Sequence, residues 1–165
     1  MKFPSAVLGL LLCLSACGYN AGLRVTEHHE SVGIELFGND SLERDLEPRL
    51  HEQMTKVLRY QSNAHLVDPR QAQAVIRGTI SAYHRRGGIR DADNHLLETG
   101  IYLELQARLF VRGNETPVRS ATAGAWVGYI LGNEQFSNER EARDRALRHM
   151  AEEIVLDLLG PADDT

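Results

Sequence analysis

An alternating run from Ile101 to Val111 is the strongest structural signal in the sequence. Every second residue is apolar: Ile101, Leu103, Leu105, Ala107, Leu109 and Val111. The residues between them are Tyr102, Glu104, Gln106, Arg108 and Phe110. Because successive side chains of a strand point to opposite faces of a sheet, one face of this strand is buried and the other is wet. The pattern favours an antiparallel sheet that is covered on one side only.

Four segments in all have the residue pattern of strands. Alternating or β-branched residues mark 31–37, 74–84 and 118–130, and the alternating run itself extends over 97–111. Turn residues such as Gly113-Asn114 separate these segments.

Two segments have helical spacing of apolar residues. One is predicted to form a helix over 45–60, with Pro48 tolerated in its first turn. In the other, Asn138 and Glu141 match a capping box, and Gly160-Pro161 marks the end. The order β-α-β-β-β-α predicts an α+β fold, a two-layer sandwich of a four-stranded, mostly antiparallel sheet with two helices on one face.

The first 17 residues have the layout of a bacterial export signal. Lys2 precedes an apolar run over 6–14, which is too short to span a bilayer, and Ser15-Ala16 are the small residues of a cleavage site. Residues 14–17, "LSAC", resemble the lipobox of bacterial lipoproteins. The alternative is an ordinary secreted protein in which Cys17 is incidental.

The lipobox resemblance implies that Cys17 carries a diacylglycerol and an N-acyl chain such as palmitate, which are stable anchors together. The chain then divides into a removed signal peptide over 1–16, a lipidated tether over 17–30, a single domain over 31–160 and a C-terminal tail over 161–165. Since the only other cysteine leaves with the signal peptide, no disulfide is expected.

Charge and motif content narrow the classes of function. The chain has 18 Lys and Arg against 23 Asp and Glu, a net charge of −5, which argues against nucleic acid as a partner. No familiar catalytic or metal-binding motif is present, and His28-His29-Glu30 is best explained as part of a solvated linker. We therefore expect no catalytic residues, no metal site, no cofactor and no enzymatic activity.

One basic loop stands out on this acidic chain. Arg85, Arg86 and Arg90 lie close together between two predicted strands. Arginine suits phosphate and carboxylate groups because its planar fork donates two parallel hydrogen bonds. The alternative is a solvated hairpin tip whose arginines are neutralised by Asp91 and Asp93.

An aromatic segment over 126–136 spans the end of the last predicted strand and the start of the connection to the final helix. Trp126, Tyr129 and Phe136 could form part of an exposed patch of the kind that marks a protein interface. The alternative is ordinary core packing near the end of the sheet.

Several segments, taken in order, resemble the LptE family of lipopolysaccharide-assembly lipoproteins, over residues 17 to about 159. They are "CGY" after the lipobox, "LERDLEPRLHEQMTKVL", "HLVDPRQAQAVIRGTISAY", "YLELQARLFV" and "SNEREARDRALRHMAEEIVLDLL".

The resemblance implies a non-enzymatic lipoprotein that plugs the LptD β-barrel, helps to assemble it and assists delivery of lipopolysaccharide to the outer leaflet. It also implies anchoring in the outer membrane, with the domain on the periplasmic side or in the barrel lumen, and Gly18 after the lipidated cysteine is consistent with this. Barrel interiors are polar, so Glu104, Gln106 and Arg108 are candidate contacts with the barrel.

The alternative is a periplasm-facing lipoprotein regulator, such as an activator of peptidoglycan synthases. Proteins of that kind generally have a long linker, whereas the tether here has a root-mean-square reach of about 20 Å.

Overall fold

The computed structural model describes residues 30–95, 98–130 and 135–161, without the side chains of 135–138. The elements follow one another along the chain as β1 (Ser31–Ile34), β2 (Gly38–Asn39), α1 (Leu46–Gln61), β3 (His65–Leu66), β4 (Ala74–Arg86), β5 (Glu98–Val111), β6 (Arg119–Ile130) and α2 (Gln135–Leu159). The predicted α+β class with two helices is confirmed. The predicted signal peptide, Cys17 and nearly all of the tether lie outside the described residues.

The sheet is larger and more mixed than the predicted four-stranded, mostly antiparallel one. Its strand order is β3-β1-β4-β5-β6, and β2 also pairs with β4. The pairs β4–β5 and β5–β6 are antiparallel, whereas β1 pairs in parallel with both β3 and β4, and β2 pairs in parallel with β4. The prediction of four strands was therefore wrong in detail.

The helix α1 explains the parallel part of the sheet. It lies in sequence between β1 and β4 and returns the chain to the starting end, so the two strands run in the same direction. The strands β2 and β3 have two residues each, which is too short for any periodicity to reveal them.

One hydrophobic core lies between the sheet and the two helices. Both helices contribute buried side chains to it, as do the alternate residues of the predicted apolar face of β5 from Ile101 to Leu109. In β6 the core positions Ala121, Ala123 and Ala125 are small, which lets α2 approach the sheet closely. The opposite face of the sheet, which we call the open face, is covered by no helix among the described residues.

Two of the predicted boundary signals of the helices agree with the structure, and one does not. Pro48 lies in the first turn of α1, where its missing N–H costs nothing, and α2 ends directly before Gly160. However, α2 begins at Gln135, so Asn138 lies inside the first turn and the predicted capping box is wrong. Among the described residues, neither helix is long and apolar enough to cross a bilayer.

Candidate functional site

The open face carries a row of three aromatic side chains. His84, Tyr102 and Trp126 are direct cross-strand partners on β4, β5 and β6, and we call them the aromatic row. The rings of His84 and Tyr102 are stacked with their planes within 3° and their centroids 6.5 Å apart. Side chains that face each other across strands in this way interact directly.

Glycine shapes one side of the aromatic row. A Cβ atom on Gly100 would lie 2.5 Å from Cζ2 of Trp126, so the indole rests directly on the backbone of β5. Trp126 nevertheless remains 52% exposed. The guanidinium carbon of Arg86 lies 5.8 Å from the Trp126 ring centroid and 5.9 Å from that of Tyr102, within range of cation–π attraction.

The middle of the open face is polar. Glu104 is half-buried and accepts hydrogen bonds from Ser81 at 2.9 Å and from Tyr102 at 3.0 Å. Gln106 and Arg108 are both exposed. The predicted polar residues Glu104, Gln106 and Arg108 therefore lie on one face together with Trp126.

A β-bulge in β4 decides which arginine faces which way. The pairing with β5 shifts between Ile80 and Ala82, which reverses the alternation beyond that point. As a result Arg85 points to the helix side and Arg86 to the open face. Arg90 lies in the following loop, where it donates a hydrogen bond to the carbonyl of Asn94 at 2.9 Å. The three predicted anion-binding arginines therefore do not converge on one point.

Arg85 belongs to a cluster of charged and phenolic groups on the helix side, which we call the Glu139 cluster. Its members are Glu43, Tyr83, Arg85, Tyr129, Glu139 and Arg143. One carboxylate oxygen of Glu139 accepts hydrogen bonds from Arg85 at 2.7 Å and from Tyr83 at 2.9 Å. The other oxygen accepts one from Tyr129 at 3.0 Å.

A second carboxylate completes the Glu139 cluster. Arg85 and Arg143 each pair with Glu43, at 3.1 and 2.8 Å, and Arg143 also pairs with Glu139 at 3.1 Å. The cluster thus connects the loop before α1, the strands β4 and β6, and the first turns of α2. Two carboxylates face two guanidinium groups, so its formal charge is balanced.

These contacts shift the pKa values of the cluster. Burial by itself would raise the pKa of Glu139, but hydrogen bonds from Arg85, Tyr83 and Tyr129 outweigh it and lower that pKa to about 2. Burial, followed by the hydrogen bond to Glu139, raises the pKa of Tyr83 and that of Tyr129 to about 12. Glu139 is therefore ionised, and both phenols are neutral donors, over the physiological pH range.

The aromatic residues predicted as interface candidates separate in the structure. Trp126 is on the open face, but Tyr129 is only 6% exposed and faces the helices, where the Glu139 cluster holds its hydroxyl. The reason is strand alternation, since the two positions differ by an odd number of residues. Tyr129 is thus not available on the open face. The side chain of Phe136 lies outside the described residues.

The Glu139 cluster escaped the sequence analysis. Its members are far apart in the chain, and the only local signal is the i,i+4 spacing of Glu139 and Arg143. That spacing is equally typical of an exposed helix surface, so it does not reveal a cluster. The side chain of Arg143 is in fact only 14% exposed.

Three potential metal ligands lie together in the β4–β5 loop. Ligand atoms of Asp91, Asp93 and His95 lie within 4.8 Å of one another. The Asp91 carboxylate already accepts hydrogen bonds from the backbone N–H groups of Asp93 and His95 and contacts the His95 ring. Closing the turn explains this arrangement, because Asp side chains commonly bond the backbone two residues further on.

Several solved structures share the fold of this chain. The PelC dodecamer from Paraburkholderia phytofirmans matches with a TM-score of 0.60 and 13% identity, over 85% of this chain and 96% of that one. A minor lipoprotein from Acinetobacter baumannii matches with a TM-score of 0.50 and 17% identity, over 82% and 97%. At such identities the likeness is one of fold alone.

Sequence comparison is more specific. No curated protein matches the chain significantly. In contrast, residues 30–158 match the family model described as LptE, lipopolysaccharide-assembly. This match covers the domain from the start of β1 to the last turn of α2. The chain therefore belongs to the LptE family of lipopolysaccharide-assembly proteins.

Proposed function

We propose that this chain is a lipid-anchored, non-enzymatic outer-membrane lipoprotein that plugs and helps to assemble an LptD-type β-barrel during lipopolysaccharide delivery. Family membership supports a role in lipopolysaccharide assembly. The finer proposal, contact with the lumen of a barrel, depends on the open face.

The open face is the observation that carries the proposal. It combines the exposed side chains of Gln106, Arg108 and Trp126 with the half-buried carboxylate of Glu104 on a sheet that the helices cover only from behind. A barrel lumen is lined by polar side chains, so a plug needs a hydrated, hydrogen-bonding surface and not a dry apolar one. The open face meets that requirement.

The predicted anchor agrees with a partner in the membrane. If Cys17 is acylated, a tether of about 20 Å reach connects the membrane to Ser31, the first residue of β1. A domain held so closely can meet an outer-membrane barrel without crossing the periplasm. The same short reach disfavours the peptidoglycan-synthase regulator.

Lipopolysaccharide contact is the second part of the proposal. Of the three arginines in the basic loop, Arg85 is engaged by two carboxylates and Arg90 by a carbonyl. Arg86 lies on the open face, where its guanidinium contacts the rings of Tyr102 and Trp126 and no described residue accepts a hydrogen bond from it. We therefore assign contact with lipopolysaccharide phosphates chiefly to Arg86, with Arg85 acting mainly in folding.

The test is an affinity pull-down of the full-length lipoprotein from detergent-solubilised outer membranes. We expect stoichiometric recovery of a large β-barrel by the wild type and reduced recovery by Arg108→Glu, which reverses a charge on the open face. Arg148→Glu, on the exposed side of α2, is the matched control and should recover the barrel normally. Recovery of a peptidoglycan synthase without a barrel would contradict the proposal.

A further inference from the structure

We propose that the aromatic row is a platform on which sugar rings of the lipopolysaccharide glycan stack, separate from any contact with phosphate or acyl chains. This inference rests on the proposed function, because it takes lipopolysaccharide as the source of the glycan. It concerns His84, Tyr102 and Trp126, which lie side by side across three strands.

On the open face, the positions on either side of the aromatic row include three glycines, and their lack of side chains leaves the rings accessible. On one side the β5 and β6 positions are Gly100 and Gly128, and on the other side Gly124 lies beside Tyr102. A side chain at Gly100 would clash with the Trp126 ring, and one at Gly124 would stand against Tyr102. With glycine there, the indole lies low over Gly100 and still keeps half of its surface in water.

The dimensions suit a short oligosaccharide. Neighbouring strands are about 4.8 Å apart, so three rings on three adjacent strands form a strip of about 10 Å. The rings of His84 and Tyr102 stack on each other, so the most open aromatic face of the row is that of Trp126, which rests on Gly100 and stays half exposed. One sugar ring can stack on this indole face, and the sugar units linked to it can then contact the neighbouring groups of the row.

The chemistry of the neighbouring groups fits polyhydroxyl ligands. The C–H faces of a sugar ring pack on aromatic faces, which supply large apolar area at fixed geometry. The hydroxyl groups at the ring edges need donors and acceptors, and Arg86 offers only donors whereas the Glu104 carboxylate offers only acceptors. Both lie beside the aromatic row, one on each side.

Local charge favours a neutral ligand over an anion at this place. Arg86 and Glu104 carry opposite charges on opposite sides of Tyr102, so their fields offset each other over the ring. A phosphate group would approach the Glu104 carboxylate at a cost, whereas a neutral sugar would not. The neutral sugar is therefore placed above the ring of Tyr102, and phosphate contact is left to the side of Arg86 that faces away from Glu104.

Trp126 is the only tryptophan in the chain, which gives the experiment a built-in signal. The full lipoprotein in detergent is titrated with lipid-free, dephosphorylated core oligosaccharide prepared from lipopolysaccharide, and its intrinsic fluorescence is followed. We expect a saturable change in intensity or wavelength. Absence of any change up to millimolar oligosaccharide would overturn the proposal.

Variants locate the binding. With labelled oligosaccharide in equilibrium dialysis, Trp126→Ala should weaken binding on the order of tenfold, the scale of one aromatic contact. His84→Ala, at the exposed end of the row, is a second variant in case Trp126→Ala does not fold by circular dichroism. Thr122→Ala, exposed on the same face of β6, is the matched control and should bind as the wild type does.

The remaining outcomes show whether the platform, its ligand or the proposed plug is wrong. Unchanged affinity in both row variants, or equal loss in Thr122→Ala, would refute the platform. Tighter binding of peptidoglycan fragments than of core oligosaccharide would refute the lipopolysaccharide glycan as the ligand. If the wild type recovers the barrel in the pull-down but binds no oligosaccharide, this inference alone fails. If it binds oligosaccharide but recovers no barrel, the proposed plug fails.

Discussion

Replacing Glu139 by Gln should destabilise the domain, and by an amount that depends on pH. Gln keeps the size of the side chain but removes the charge that Arg85 and Arg143 face. A pKa lowered from 4.5 to about 2 corresponds to about 3 kcal/mol at full strength. The exposed side chain of Arg85 opens the cluster to water, so screening reduces this interaction energy. We therefore expect Glu139→Gln to lower the free energy of unfolding by about 1–2 kcal/mol at pH 7.

The pH dependence has a definite sign. The carboxyl of Glu139 has a lower pKa in the folded protein than in the unfolded chain, so the unfolded state takes up the proton first as the pH falls. Its contribution is fully present above about pH 4.5 and is lost as the pH falls towards 2. The free energies of unfolding of wild type and Glu139→Gln should therefore converge over that interval.

Urea unfolding at a series of pH values measures the free energy of unfolding of each variant and how it depends on pH. The protein used is the chain without its first 16 residues, with Cys17→Ser. Glu141→Gln, on the exposed surface of the same helix, is the matched control and should stay within about 0.5 kcal/mol of the wild type. Equal stability of Glu139→Gln and wild type at pH 7 would refute the reasoning. So would a stability gap that persists unchanged below pH 2.

Three further predictions concern the anchor and the basic loop. Cys17→Ala should leave an unprocessed precursor that incorporates no labelled fatty acid in cells, and normal processing would show that Cys17 is not the anchor. Arg86→Ala should weaken lipopolysaccharide binding more at low salt than at high salt with little change in urea stability, since its contacts are at the surface. Arg85→Ala should lower the stability instead, because it removes a partner of Glu139, and the opposite pattern would contradict the assignment of the two arginines.

The layers of the fold could be predicted from the sequence because they depend on periodicity. Period two in 101–111 identified the core face of β5, and period 3.6 identified both helices to within a few residues. The parallel pairing of β1 was not predicted, because a pattern of burial does not reveal which strands become neighbours. The early start of α2 was missed because the local capping signal at Asn138 and Glu141 placed the helix start three residues too late.

The candidate site was predicted only where strand alternation is regular. Gln106, Arg108 and Trp126 lie on the open face, as alternation along β5 and β6 requires. In β4, one bulged residue near Ser81 reverses the alternation, and a bulge has no reliable sequence signal. For that reason, Arg85 and Arg86, adjacent in the sequence, lie on opposite faces of the sheet.

This bulge connects the two features of the domain that matter most. Without it, Tyr83 and Arg85 would face water, and Glu139 would lose two of its hydrogen-bond donors. By the same shift, His84 and Arg86 would point into the helix layer and the aromatic row would lose its β4 member. One extra residue in β4 therefore sets both the ion-paired side that secures α2 and the open face that we propose for binding, so the two surfaces cannot vary independently.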